Sequence, residues 1–523
     1  MRSMTNTLFA TLAVLLTCSF CVRAELTSEQ EALTIAQNYV SFILTNEGNW
    51  GGSDSAEVVS IQEFKRGDRT LGYFCRVQPR GFLVLSLHKE LAPVKAYSGR
   101  CNLNPEAEEG LTDLIKDKME GILDGVEEQL GRPLKPDDQI GGLLEINYRA
   151  VSDVLVSAAF DPEEYREPQQ IRGSAGMDYQ EGEVLLTSSW HQRPPYNDQC
   201  PDEEDEGCSE CPCSWPAYGF FNDSARVGCV ATAGAQVMYY WHWPLTGEEP
   251  FDDSYDWPNM CDEYNYDGAG WFNDENGVPV TWNQIDAVAE LCNEVGIAAD
   301  MDYGCEGSSA FLDDLADAYD DYFHFSEGWV EYRFMYEAVD WFNLLKYDLN
   351  RNRPVTYGIE EHAIVCDGWK EEWIGDDYYW YHMNYGWGGG IPDDPNWPGY
   401  PSSNTWFALD ELYHGGSELI VGGICPDGAI GSILALFYGA AVHYFDQDAS
   451  GTNSTFFAGN GLQILKSGFR LVNPGSPTSA ITFYGEPDHK TRFYLYGDLL
   501  GKTRISIKGG GMAIYGGGQM VIR

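Results

Sequence analysis

Cys229 is the residue whose surroundings say most about chemistry. It stands in Val227-Gly228-Cys229-Val230-Ala231-Thr232-Ala233-Gly234-Ala235-Gln236-Val237-Met238, a run that predicts a helix ending before Pro244. A thiol at a helix N-terminus feels the positive end of the macrodipole and the free N–H groups there, and both favour thiolate. The small residues Ala231, Ala233, Gly234 and Ala235 would let the helix sit deep between its neighbours. A structural cysteine on a core helix would look the same, so the meaning of Cys229 depends on what accompanies it.

Three further segments accompany it in order. Upstream lies Trp190-His191-Gln192-Arg193-Pro194-Pro195-Tyr196-Asn197. Downstream come Glu361-His362-Ala363-Ile364-Val365-Cys366-Asp367-Gly368-Trp369 and Tyr381-His382-Met383-Asn384-Tyr385-Gly386-Trp387-Gly388-Gly389. The order Gln, Cys, His, Asn in these contexts resembles the streptopain family of secreted papain-like cysteine proteases, from about Leu185 into the low 420s. The resemblance implies an α+β, papain-like protease of two subdomains. A helical part would carry Cys229 and an antiparallel sheet would carry His362 and Asn384.

The chemistry fits that order. A cysteine protease needs a thiolate nucleophile, an imidazole that stabilises it and protonates the leaving amine, a group that orients the imidazole, and donors for the oxyanion. On this reading Cys229 is the nucleophile, His362 its ion-pair partner, and Asn384 the group at the far ring nitrogen. Gln192 offers its amide N–H to the oxyanion beside the backbone N–H of Cys229, which Gly228 precedes. Trp387 shields the His–Asn hydrogen bond from water. No metal or other cofactor is implied. His382 is the rival base, two residues before Asn384 and so on the same face of a strand. His191 and His242 read as surface or packing residues.

Two positions depart from the family pattern. Glu361, after Glu360, stands where relatives usually carry Gly, and two carboxylates close to the imidazole would raise its pKa. Tyr385 stands where relatives often carry Trp, another aromatic able to shield. Neither change removes a catalytic group.

The rest of the chain sets context. The apolar run Leu8 to Phe20 and the following Cys21-Val22-Arg23-Ala24 read as a signal peptide over residues 1–24, too short for a membrane span. An exported protein follows, either free or retained at the cell surface. Removing the two signal-peptide cysteines from 14 leaves 12. Cys200, Cys208, Cys211 and Cys213 cluster ahead of the helix, and in an exported protein they favour disulfides over a zinc site. Cys366, inside an apolar run, reads as a buried inert thiol. A net charge of −49 argues against nucleic acid as a partner. The acidic loops Asp202–Glu206 and Asp376-Asp377 lack the spacing of a calcium loop.

With 523 residues the chain exceeds one core. Residues 25–180 read as a small α+β unit. It opens with a capping box at Ser28 and Glu31, has strand-like runs at Val58–Phe64, Thr70–Val77, Phe82–Leu87 and Val94–Tyr97, and carries a helix over Leu111 to Leu130. The family resemblance makes this unit an inhibitory propeptide, the protease's own intramolecular partner. The polar stretch Gln169 to Glu183 reads as an exposed linker open to cleavage. Residues 181–424 form the protease, and 425–523 a small β-rich domain. From Val421 onward the acidity stops, with eight Lys/Arg against six Asp/Glu, and alternating runs among many glycines predict stacked hairpins or a short β-solenoid. The function expected is a secreted endopeptidase made as a zymogen, acting on protein or peptide substrates. The alternatives are a cysteine amidase acting on cell-wall peptides and an inactive adhesion or binding protein.

Overall fold

A computed structural model describes residues 26–166, 181–201, 224–387 and 404–425, apart from short gaps at 245, 253, 268–270, 305–306, 327, 351, 414–415 and 417. Ten backbone strands between 443 and 515 are also described. The expected signal peptide, most of the expected linker, Cys208, Cys211, Cys213 and the loop 202–206 lie outside the described residues.

Local sequence accounts for the N-terminal elements. Ser28 caps α1 (Glu29–Asn46): its Oγ accepts from Glu31 N, and Glu31 Oε2 accepts from Ser28 N at 2.9 Å. Ala32, Ile35, Ala36, Tyr39 and Val40 form the buried face of α1. Four strands follow, β1 (Glu57–Arg66), β2 (Arg69–Gln78), β3 (Phe82–Ser86) and β4 (Val94–Ser98). Then comes α2 (Gly110–Leu130), which Gly131 ends in the left-handed conformation that glycine adopts freely, and α3 (Arg149–Leu155).

The middle of the chain divides into a helical part and a sheet. The helical part holds α4 (Cys229–Trp241), a small hairpin of β5 (Asn265–Tyr266) and β6 (Phe272–Asn273), α5 (Trp282–Ala298) and α6 (Leu312–Asp321). After it come β7 (Trp329–Tyr332), α7 (Ala338–Leu349), β8 (Val355–Ile359), β9 (His362–Trp373), β10 (Asp377–Asn384), β11 (Thr405–Ala408) and β12 (Leu419–Gly422). Alternation along β9 serves two cores. Ala363 and Val365 pack with α4, α5 and α6, while Ile364 and Cys366 pack with α2 and α7. This is the α+β, two-part arrangement expected for the protease.

The N-terminal unit joins that sheet. The order is β1-β2-β3-β4-β11-β10-β9-β8-β12-β7, with antiparallel pairing at the junction, where Ala96 faces Phe407 and Tyr97 faces Trp406. Buried and partly buried ion pairs reinforce the seam. Lys95 Nζ lies 2.8 Å from Asp410 Oδ1 and 2.8 Å from Glu411 Oε2. Lys118 Nζ lies 2.8 Å from Asp410 Oδ2 and 2.5 Å from Glu418 Oε1. Lys370 reaches Glu47 at 2.7 Å and Tyr97 Oη at 2.6 Å, and Arg333 reaches Glu145 at 2.9 Å.

The described C-terminal strands pair in parallel. One stack is β13 (His443–Phe445), β16 (Leu462–Leu465), β19 (Lys490–Leu495) and β22 (Gly511–Tyr515). The second is β14 (Ala449–Ser450), β17 (Arg470–Asn473) and β20 (Asp498–Gly501), and the third is β15 (Thr455–Phe457), β18 (Ile481–Tyr484) and β21 (Ile505–Lys508). Hairpins pair antiparallel, so of the two architectures expected this is the solenoid, with three faces. Among the described residues no helix is long and apolar enough to cross a membrane.

Candidate active site

Gly228 sets the start of α4. Its φ is +85°, and a Cβ there would lie 2.7 Å from Met301 and 3.1 Å from the carbonyl oxygen of Ser308. Only glycine meets both demands. The chain then enters the helix at Cys229, the first helical residue, and Thr232 returns both its N–H and its hydroxyl to the carbonyl of Gly228. Burial pushes the Cys229 thiol above its ordinary value, while the N–H groups of Ala363, Val230 and Cys229 itself pull it back. The N–H of Ala363 comes from the strand that begins with His362, so the thiol and the histidine strand meet.

His362 follows a two-residue turn, because Ile359 pairs with His362 across Glu360 and Glu361. Glu361 has φ +55°, the left-handed conformation where a Cβ is costly. Both glutamates are exposed. The expected rise in the imidazole pKa does not occur: burial pulls His362 down to about 4, the carbonyl of Tyr385 opposing, and neither carboxylate contributes. The ring stacks on Trp387 with centroids 4.3 Å apart, and its Nε2 lies 2.8 Å from the Tyr385 carbonyl oxygen. A carbonyl only accepts, so Nε2 carries the hydrogen and Nδ1 the lone pair.

Asn384 closes β10 but does not bond the imidazole. Its Nδ2 donates to the Ser188 carbonyl at 2.8 Å and to Gln236 Oε1 at 3.1 Å. Its Oδ1 accepts from Gln236 Nε2 at 3.4 Å and from Gly386 N at 3.1 Å. The Tyr385 carbonyl, next in the chain, occupies the far ring nitrogen instead, and Trp387 covers the imidazole face. Gln192 is half-buried, and its carbonyl accepts from Val227 N at 3.1 Å, which ties its loop to the start of α4.

The other histidines have local partners. His382 Nδ1 lies 2.6 Å from Asp367 Oδ1, both buried, and its ring meets Trp406 edge-on. His191 packs edge-on against Tyr196, and His242 ends α4 with φ +48° and stacks on Trp257. Burial drives the Cys366 thiol far up, leaving it inert. Cys75, Cys101, Cys200, Cys229, Cys261, Cys292, Cys366 and Cys425 all stand as free thiols, so none of the disulfides expected of an exported protein joins these described cysteines. Among the described residues no cluster of side chains has the makings of a metal site.

Sequence reasoning missed Gln236 and the Tyr385 carbonyl. Gln236 carried a signal, as a long polar residue inside the apolar helix of Cys229, two turns along the same face. A backbone carbonyl carries none.

The comparisons with known proteins bear on the same segment. Residues 190–393 match the model of the peptidase C10 family. Streptopain of Streptococcus pyogenes is 25% identical over 392 residues, covering 69% of this chain and 82% of streptopain. The thiol protease/hemagglutinin PrtT of Porphyromonas gingivalis is 26% identical over 275 residues, covering 48% of this chain and 30% of that protein. Among solved structures, a prointerpain A fragment from Prevotella intermedia aligns at a TM-score of 0.47 and 21% identity, over 71% of this chain and 99% of the fragment.

Proposed function

We propose, on the premise that this chain belongs to the peptidase C10 family and is a cysteine-type peptidase, that it is an exported endopeptidase made as a latent precursor. In this reading residues 1–24 are the signal peptide, 25–180 the inhibitory propeptide, 181–424 the protease and 425–523 a β-rich domain. Cys229 attacks the scissile carbonyl as thiolate, and His362 protonates the leaving amine. Water then attacks the acyl-enzyme with His362 as base. The backbone N–H of Cys229 and the amide of Gln192 receive the oxyanion. Asn384 supports the imidazole through the turn it closes, and Trp387 excludes water from it.

The observation that carries the reading is the meeting of Cys229, at the head of a buried helix, with the first residues of the His362 strand. Burial raises the Cys229 thiol and lowers the His362 imidazole to about 4, which favours a neutral pair near pH 7. The β4–β11 pairing and the lysines Lys95 and Lys370 buried beside it hold the N-terminal unit to the protease.

The test is conversion. Wild-type precursor should cleave itself to a form beginning between residues 169 and 186, while Cys229→Ala and His362→Ala should persist uncut. N-terminal sequencing reads the boundary. Casein hydrolysis by the product, with purified peptidoglycan untouched, supports an endopeptidase, and the reverse pattern means an amidase. A precursor as active as any truncated form overturns the latent reading.

A further inference from the structure

Gln236 sits two turns beyond Cys229 on α4 and is fully buried. A buried amide must find partners for its carbonyl and both N–H groups, or it costs stability. Its partners come from the segments that carry the candidate site. Gln236 Oε1 accepts from Ser188 Oγ at 3.1 Å, from Trp190 N at 3.2 Å and from Asn384 Nδ2 at 3.1 Å. Its Nε2 donates to Asn384 Oδ1 at 3.4 Å. Asn384 then binds the Ser188 carbonyl and Gly386 N. One amide pair thus joins the nucleophile helix, the segment leading to Gln192 and the end of β10.

We propose that Gln236 is a positioning residue for the peptidase reaction, acting on His362 through Asn384 and the turn that follows it. The chain of contacts is short. Gln236 fixes the Asn384 amide, and Asn384 Oδ1 fixes the N–H of Gly386. The turn so formed presents the Tyr385 carbonyl to His362 Nε2, leaving Nδ1 as the atom that takes and returns the proton. The helix clamps the same turn from its other side. Gly386 has φ +66°, and a Cβ on it would lie 3.2 Å from Thr232 Cγ2, one turn beyond Cys229. Through Trp190 N the same amide sets the segment that places Gln192 two residues on. Nucleophile, base and oxyanion donor are therefore referenced to one buried side chain. This proposal rests on the reading of Cys229 and His362 as the reacting pair.

The test uses the matured protein carrying Gln236→Glu, Gln236→Leu, Asn384→Ala, or Gln236→Leu with Asn384→Ala. Glutamate is isosteric and keeps the acceptor bonds, but it loses the N–H given to Asn384 Oδ1. A small misplacement of a catalytic group costs on the order of 100-fold in rate. Gln236→Glu should therefore lose about that much kcat with KM nearly unchanged. The pH profile of Cys229 alkylation by iodoacetamide should move with it, because the imidazole that stabilises the thiolate has shifted. The double variant should be no slower than the worse single one, since both changes break one chain of contacts. A merely structural glutamine would lower the melting temperature and leave the alkylation profile of the folded fraction unmoved. That result, or losses that multiply in the double variant, overturns the proposal. Should Gln236→Leu fail to fold, the isosteric Gln236→Glu decides alone. The alkylation profile needs no substrate, so a protein that cleaves no polypeptide yet shows the shifted profile faults the endopeptidase reading and leaves this one standing.

Discussion

Lys95→Met in the 523-residue chain should weaken the hold of the N-terminal unit on the protease sheet by about 3 kcal/mol. The ammonium of Lys95 bridges Asp410 and Glu411 at 2.8 Å each, with all three groups buried. Methionine keeps the unbranched, apolar stem and its packing near Phe407, 5.3 Å from the ammonium, so the change is chiefly one of charge. Removing one partner of a buried pair typically costs about 3–5 kcal/mol, because the other charge stays buried and uncompensated. Here the low end applies. Asp410 keeps Lys118 at 2.8 Å, and Glu411 keeps the backbone N–H of Ala92 at 2.6 Å.

A loss of about 3 kcal/mol changes an equilibrium on the order of 100-fold. If Cys229 reacts only when the unit swings away, its labelling by iodoacetamide should quicken by that factor. The measurement belongs in a His362→Ala background, so that self-cleavage does not intervene, with intact-mass counting of labelled protein. Lys95→Met with Glu411→Gln should recover much of the loss, because the stranded charge is gone. Labelling within a few-fold of the parent, alongside a lowered melting temperature, would show that the seam stabilises the fold without guarding the thiol.

Acid should not open this seam. Burial works to raise the Asp410 carboxyl, but the ammonium groups of Lys118 and Lys95 win and hold it well below the usual range. Its contribution is present above an unfolded pKa of about 3.9 and fades only as pH falls further. The lysines are raised, against burial, by Asp410 with Glu411 for Lys95 and with Glu418 for Lys118. Their share is complete below about pH 10.4. Protein nicked in the linker and moved to pH 5 should therefore still elute as one complex by gel filtration. His362 has the same sign as Asp410 but a higher window: its folded pKa is about 4, below the unfolded value near 6.5, so its contribution is present above pH 6.5 and lost toward pH 4. The melting temperature of the chain should fall across that interval, and less so in His362→Ala. Glu361→Gly should stabilise the protein by about 0.5–1 kcal/mol in urea. Relief of a left-handed Cβ, about 1–2 kcal/mol, exceeds the extra entropy of an unfolded glycine. A destabilised variant would mean the Glu361 side chain makes contacts that outweigh the strain.

What was legible in the sequence is what short stretches determine. The capping box of α1, the apolar face through Ala32, Ile35, Ala36 and Tyr39, and the helix of Cys229 are local, and propensity and periodicity suffice for them. The Glu361 position was flagged as a departure, and its physical content, a left-handed backbone, appears only once the Ile359–His362 pairing closes the turn. The fusion of the N-terminal strands with the protease sheet was illegible for another reason. The edges of β4 and β11 meet across some three hundred residues, and backbone pairing at an edge leaves little trace in side-chain pattern. The C-terminal runs alternate as hairpins and solenoids both do, and only the direction of pairing separates them.

The site itself divides along the same line. The side chains proposed to do the chemistry, Cys229 and His362, announce themselves by type and context, because few residues can supply a thiolate or a neutral base. The groups that aim them need only be hydrogen-bonding atoms in the right place. Asn384 has a side chain suited to hold an imidazole, yet its four hydrogen bonds go to Ser188, Gln236 and Gly386, and a peptide carbonyl, which every residue owns, holds the ring. Orientation is therefore set by the turn from Asn384 to Gly386 and by the buried amide that fixes it. A substitution at Gln236, remote from the sulfur along the helix, can thus reach the imidazole, whereas one at exposed Glu360, two residues before it in sequence, leaves the ring's hydrogen bond intact.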